Sequence, residues 1–287
     1  MESRSVTWNR PGAVPGLGAL NRAISVFEAV VAEGSETSLA AIAVDTGLPK
    51  STIHRILAIW VNRGYLVMTA RGRYGPGPQL LGVAGFATAT LDYARLARPY
   101  LRRLQSATEE TIHLAMLIGN TPIYVDKLEG NRPYRMTSTV GMSLAFHSTA
   151  IGKAILGHMM KCDQEALLAH ATLSQSTPRT IVSRADLAQE LIRIRQLGYA
   201  IDDEENEDGV RCVGAPIFNY RSNVVGAVSI SAPAVSFSAV DAESLAPAIC
   251  ETTVAISREL GATASIPAPR GGRDPLATPS HPDISAH

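Results

Sequence analysis

Lys50, Ser51, Thr52, His54 and Arg55 gather two cations, two hydroxyls and an imidazole into six residues. Side chains of these types donate hydrogen bonds to phosphate oxygens and to the acceptor edges of bases in the major groove of duplex DNA. The apolar residues Ile53, Ile56, Leu57, Trp60 and Val61 recur at spacings of three and four. On a helix they share one buried face and leave the donors largely off it, near the helix start. That is the layout of a recognition helix. Lys50 or Ser51 is also placed to cap the free N–H groups of the first turn.

A recognition helix needs a scaffold, and the stretch 38–74, SLAAIAVDTGLPKSTIHRILAIWVNRGYLVMTARGRY, supplies one. An amphipathic segment over Ser38–Thr46 stops at Gly47-Leu48-Pro49, and a second runs from Lys50 to about Asn62. Gly64, a short apolar strand over Tyr65–Met68, and a polar turn with Arg71 and Arg73 follow. Helix, tight turn, helix and β-ribbon in that order make a winged helix-turn-helix, with Arg71 and Arg73 reaching phosphate or the minor groove. Upstream, a helix from Leu17 to about Ala32 lines up Leu20, Ile24, Phe27 and Val31. Arg22, beside Asn21 near its start, is in place to hold a phosphate. Pro76 and Pro78 end the wing.

The length of 287 residues suits two domains with tails, and an apolar content of 46% fills real cores. Residues 1–80 hold eight Lys and Arg against five Asp and Glu, while the remainder is acidic by the same margin of three. So small a basic excess argues against a sequence-blind architectural protein and requires a few placed contacts and self-association. Cys162, Cys212 and Cys250 stand too far apart for a zinc motif or a disulfide framework, which points to a reducing cytoplasm. No run of about eighteen apolar residues offers a membrane span, and the first residues lack the apolar core of a signal peptide.

Residues 1–15 read as disordered, 16–78 as the DNA-binding domain, 79–108 as a pair of linker and dimerisation helices, 109–260 as a second domain, and 261–287 as a disordered tail. The apolar string LLGVAGFATA (80–89) implies cover from a second copy of the chain. Within the second domain, strands are expected at Thr111–Ile118, Pro122–Glu129, Tyr134–Thr139, Gly209–Phe218 and Val224–Ser231. Helices are expected at Ser148–Met160, Gln164–Ala171, Arg184–Leu197 and Ala239–Leu260. Strands early and late with helices between them make the class α+β. Residues 219–223 close the last two strands as a hairpin.

Five strings taken together resemble the IclR-type transcriptional regulators. They are TGLPKSTIHRIL with NRGYL behind it, FHSTAIGKAILG (146–157), GYAIDDEENEDGVRCVGAPIF (198–218) and VVGAVSISAP (224–233), spread over residues 17–260 in the family's order. The resemblance implies a winged helix, a linker helix and a GAF/PAS-like effector domain with a central antiparallel sheet. It implies a dimer or tetramer on a palindromic or pseudo-palindromic double-stranded operator near a catabolic operon, answering to a small organic acid. Carried over by motif, the effector site draws on Met136, Leu144, Ala150, Ile151, Asp202, Cys212, Ser229 and Ser231. The pair Ala150-Ile151 is bulkier than the residues some members place before Gly-Lys, which implies a smaller pocket or a different ligand. The string DKLEGNRPYRMTSTVGM (126–142) looks most like members that respond to sugar acids.

The residues themselves fit such a site. Ser148 stands where it caps a helix beginning Thr149-Ala150-Ile151-Gly152, whose free N–H groups suit a carboxylate, and Gly152 permits close approach. Ser229 and Ser231 share one side of a strand. Cys212 lines a pocket without reacting, and Asp202 accepts from a ligand hydroxyl. The rest of the acidic run 202–208 is expected to be a solvated loop, and His113 to serve strand packing. The competing reading is an enzyme acting on a small hydroxy- or oxo-acid with an appended DNA-binding domain. It lacks residues: no HExxH, no GxSxG and no phosphate loop is present, and no cofactor or metal is implied. His147 and Ser148 are adjacent, which seldom satisfies nucleophile–base geometry.

Overall fold

The computed structural model describes residues 18–32, 36–89, 91–131 and 136–262. Expectations for residues 1–15, for Leu17 and for the tail beyond Ala262 lie outside the described residues. The chain divides into two units at Leu91 and Asp92.

In the first unit, helices α1 (Gly18–Ala32), α2 (Leu39–Thr46) and α3 (Lys50–Asn62) are followed by the strands β1 (Leu66–Met68) and β2 (Tyr74–Pro76) and by helix α4 (Pro78–Ala89). Ser38 caps α2 through Ala41 N, and Gly47 ends it in the left-handed conformation at φ 66°, where glycine has no Cβ penalty. Val26, Val30, Ile42, Ile53, Leu57 and Leu66 close a core between the three helices and the ribbon. Trp60 fastens α3 to α1: its Nε1 donates to Ala23 O at 3.3 Å, and its ring lies 4.7 Å from that of Phe27. The antiparallel ribbon gains a third segment where Thr37 bridges Tyr74.

The second unit opens with α5 (Tyr93–Thr108), capped by Asp92. The two helices expected to link the domains therefore part company. α4 belongs to the first unit, whereas α5 buries Ala97, Leu101 and Leu104 in the core of the second. The strands β3 (Thr111–Ile118) and β4 (Thr121–Leu128) follow, then α6 (Ala150–His158), α7 (Lys161–His170), α8 (Arg184–Leu197), β5 (Ala200–Asp203), β6 (Val210–Phe218), β7 (Val224–Pro233), α9 (Ala239–Ser244) and α10 (Ala246–Glu259). The strands form one antiparallel sheet in the order β4-β3-β7-β6-β5.

Strand alternation sends Ile112, Leu114, Val213, Ala215, Ile217, Val228 and Ile230 to one face, under α5, α9 and α10. The opposite face carries Ala115, Ala227, Ser229 and Gly214 and receives α6, on which α8 packs in turn. Its residues are small, so α6 comes close: a Cβ on Gly214 would stand 2.9 Å from the carbonyl carbon of Ala150. α8 then locks α6, with Arg195 donating from Nε to Gly157 O at 2.8 Å and from Nη2 to Met159 O at 2.6 Å.

Three segments differ from expectation. The strand expected over Tyr134–Thr139 is absent among its described residues: Met136–Thr139 is irregular, because the Met136 and Ser138 carbonyls point at Lys127 Nζ (2.9 and 2.8 Å) instead of at a ladder. Tyr134 itself lies outside the described residues. The helix expected over Ala239–Leu260 breaks at Leu245, where Pro247 near the start of α10 cannot continue a preceding turn. The acidic string hides β5, since Asp is poor in strands by propensity and tertiary pairing overrides it.

Candidate nucleic-acid interface and ligand cavity

The first turns of α3 face solvent. Lys50, Ser51, His54 and Arg55 are exposed and Thr52 is half-buried, while Ile53 and Leu57 on the opposite side are fully buried. Neither Lys50 nor Ser51 caps the helix. Pro49 occupies the cap without a side-chain hydrogen bond, and its carbonyl takes Thr52 N and Ile53 N. The N–H groups of Lys50 and Ser51 are thus left for an outside acceptor, the condition under which a helix N-terminus binds phosphate. Arg22 is exposed on α1, and Arg71 is exposed at the tip of the ribbon, beside Gly72 at φ 70°. Arg73 does not stand free. Its Nη2 and Nε donate to Glu36 O at 2.6 and 3.2 Å, so this guanidinium fastens the wing to the segment before α2.

All eight residues carried over by motif, Met136, Leu144, Ala150, Ile151, Asp202, Cys212, Ser229 and Ser231, line one cavity of about 230 Å³ in the second unit. Strand register assembles it. Asp202, Cys212 and Ser231 stand side by side across β5, β6 and β7, and the neighbouring row holds His113, Ser229 and Gly214. The two serine hydroxyls lie 3.4 Å apart. The start of α6 closes one end. Its cap is Thr149, whose Oγ1 accepts from Gly152 N at 2.9 Å, and not Ser148, whose hydroxyl donates to Asn206 Oδ1 at 3.2 Å. Ser148 stands one residue too early to reach the first turn. Ala150 N and Ile151 N bond no acceptor among the described residues. Gly152 does permit a close approach, but by the chain itself: a Cβ there would collide with Ala145 O and stand 2.7 Å from Phe146 Cα.

His113 belongs to this cavity and not to packing alone. Its Nε2 lies 2.7 Å from Ser138 Oγ and its Nδ1 lies 3.3 Å from Ser231 Oγ. Burial, with the charge of Lys127 adding, pushes its pKa down to about 3. A neutral imidazole has one donor and one acceptor, so one serine hydroxyl gives a hydrogen bond and the other receives one. Tyr124 stacks beside it at 4.9 Å with its hydroxyl pKa raised by burial, and the Cys212 thiol is likewise raised by burial, which keeps both protonated. Asp202 Oδ1 accepts Glu205 N at 2.8 Å and Asn206 N at 3.3 Å. Burial first and the charge of Glu205 second raise its carboxyl to about 7.

The acidic run is only in part a solvated loop: Asn206 and Asp208 are exposed, but Asp202 and Asp203 lie in β5. Glu205 is buried and its Oε1 accepts from Lys153 Nζ at 2.5 Å, with Glu190 Oε1 at 3.7 Å from the same ammonium. Asp203 pairs with Arg211 and Arg179, while Asn206 and Glu207 reach the cavity wall. Sequence reasoning gave no place at the cavity to Tyr124, Ser138, Asn206 or Glu207. For His113 a signal existed: it alternates with Ile112 and Leu114, so it shares the face that carries Ser229. Among the described residues, no group of three or more His, Cys, Asp and Glu is placed to hold a metal ion, and no helix is long and apolar enough to cross a membrane.

The chain is similar to known proteins along both of its units. The IclR helix-turn-helix domain matches residues 19–69, and the bacterial transcriptional regulator IclR C-terminal domain matches residues 86–258. The HTH-type transcriptional regulator XynR of Escherichia coli (strain K12) is 31% identical over 86% of this chain and 99% of its own length. BhcR of Paracoccus denitrificans (strain Pd 1222), also an HTH-type transcriptional regulator, is 31% identical over 84% of this chain and 87% of its own. The crystal structure of Thermotoga maritima IclR is 32% identical, with a TM-score of 0.58, covering 85% of this chain and 99% of that one. These relatives are regulators, which sets aside the enzyme alternative. With both domains matched in order and full-length relatives alike in the two units, the chain belongs to the IclR family of bacterial transcriptional regulators.

Proposed function

We propose that this regulator reads a pseudo-palindromic operator of a catabolic operon and releases or tightens its hold when a small organic acid fills the cavity. The observation that carries the reading is the cavity itself, where two free N–H groups of α6 converge with Ser229, Ser231 and Asp202. Helix N-terminal N–H groups favour an anion, and the hydroxyls suit a hydroxy- or oxo-acid. Sugar acids come first among these on the strength of the 126–142 string. On the DNA side, Lys50, Ser51, Thr52, His54 and Arg55 meet the major groove, and Arg22 and Arg71 meet phosphates; Arg73 serves by setting the wing. Self-association as a dimer or tetramer matches the two operator halves, and Leu81 (76% exposed) and Val83 (49%) on α4 offer apolar surface for it.

A thermal-shift screen of glycolate, L-lactate, D-glycerate, 2-oxobutyrate, D-gluconate and D-glucuronate tests the cavity, since a ligand bound only by the native state raises its melting temperature. Ser229→Ala is expected to weaken the best binder by about tenfold, the loss of one buried hydrogen bond of roughly 1.5 kcal/mol. A binder indifferent to that change sits elsewhere. Selection of duplexes from a random pool is expected to enrich a sequence with two related halves; no enrichment would defeat the DNA-reading half of the proposal.

A further inference from the structure

We propose that Asp202 meets an acid effector as a hydrogen-bond donor: the ligand's carboxylate enters the cavity together with one proton, which sits on Asp202 Oδ2. This rests on the reading of the cavity as an organic-acid site and reverses the expectation that Asp202 accepts from a ligand hydroxyl.

Asp202 is 3% exposed and lines the cavity. Its Oδ1 is saturated by two backbone N–H groups, whereas its Oδ2 bonds nothing among the described residues. Asp202 lines the void, and with Oδ1 taken by the backbone, Oδ2 is the oxygen left for a ligand. The start of α6 lies across one link from it: Ser148 bonds Asn206, whose N–H bonds Asp202.

The charges around Asp202 set the outcome. From its own loop come Glu205 and Glu207, from α6 Lys153, from β4 Tyr124, from β6 Cys212 and from β3 His113. Lys153 is committed to Glu205 and Glu190, and His113 is neutral. Tyr124 and Cys212 keep their protons. No Lys or Arg is among the described residues of the cavity wall, and Glu207 adds a second carboxylate to it. A ligand carboxylate held by Ala150 N and Ile151 N therefore faces another carboxylate with no cation from the described wall between them. Two such groups at one site do not both remain ionised. Burial already holds Asp202 near 7, far above a small acid's own carboxyl, so Asp202 takes the proton from solvent and its O–H bonds the ligand oxygen. No covalent bond forms or breaks apart from that protonation.

The test is titration calorimetry of the full chain with the six acids above at pH 6.5 and 8.5, in phosphate and in Tris. Binding is expected to weaken by more than about tenfold at pH 8.5, with close to one proton taken up per ligand there. Asp202→Asn keeps the Oδ1 acceptor and offers an amide donor where the O–H stood. It is expected to bind with no proton uptake, as tightly at pH 8.5 as the unaltered chain does at pH 6.5. Should that variant not fold, the two wild-type measurements decide alone. Wild-type binding that is flat or tighter at pH 8.5 overturns the proposal and leaves the acid-binding reading standing. No binding by any of the six acids at either pH overturns both.

Discussion

Lys153→Met is expected to destabilise the second unit by roughly 3–5 kcal/mol, the cost of stripping a buried ion pair of one partner. Lys153 is fully buried, with its ammonium 2.5 Å from Glu205 Oε1 and 3.7 Å from Glu190 Oε1. Glu205 Oε2 is already buried without a hydrogen bond. Methionine fills the stem's volume but leaves two carboxylates facing each other in a poorly solvated space. Urea unfolding of the full chain, followed through the second unit's transition, measures the loss. The sign with pH follows from burial, which already raises the Glu205 carboxyl. A carboxylate whose folded pKa lies above its unfolded one costs stability as pH rises through that folded value and returns it as pH falls. The deficit in Lys153→Met is therefore expected to be largest at alkaline pH and to shrink on acidification. Adding Glu205→Leu to Lys153→Met is expected to recover much of the loss, since removing both charges leaves no orphan. A single-variant loss below about 1 kcal/mol would mean that water reaches this pair.

Arg55→Ala is expected to weaken binding to a selected duplex by about 10- to 100-fold, the worth of one side chain–base contact at roughly 1–3 kcal/mol. Arg55 is exposed on α3, one residue from Ile56, and the buried Ile53 and Leu57 fix the direction in which it projects. The loss should come with relaxed preference at one base pair of each half-site. Arg55→Lys should restore little, because an ammonium cannot reproduce a forked donor. Arg71→Ala should differ in kind, weakening all sequences alike and lowering the salt slope by about 0.9 per phosphate contact removed. Arg55→Ala with unchanged affinity and unchanged base preference, read by fluorescence anisotropy, would place α3 outside the groove.

The legible parts of the chain were those whose signal lies in neighbouring residues. α3 runs from Lys50 to Asn62, β3 from Thr111 to Ile118 and α8 from Arg184 to Leu197, as their apolar periods and turn residues foretold. Ser229 and Ser231 share a face because strand alternation is a local rule. β5 was missed because its Asp202 and Asp203 speak for a loop until β6 pairs with them. The break at Leu245 in the single long helix expected at the end was missed because the apolar period continues smoothly across Pro247.

The sequence by itself determined the two-part plan, the helix that offers donors to DNA and the eight residues of a cavity wall, since periodicity, turn chemistry and family motifs are all written in order along the chain. Only the tertiary structure decided that Arg73 braces the wing, that His113 joins the serines, that Lys153 is sunk between two glutamates and that Asp202 is buried in the cavity wall with Oδ1 taken by two backbone N–H groups. The first three depend on partners 25 to 118 residues away, such as Ser231 for His113. Burial and charge arise from that company, which no single stretch of sequence contains.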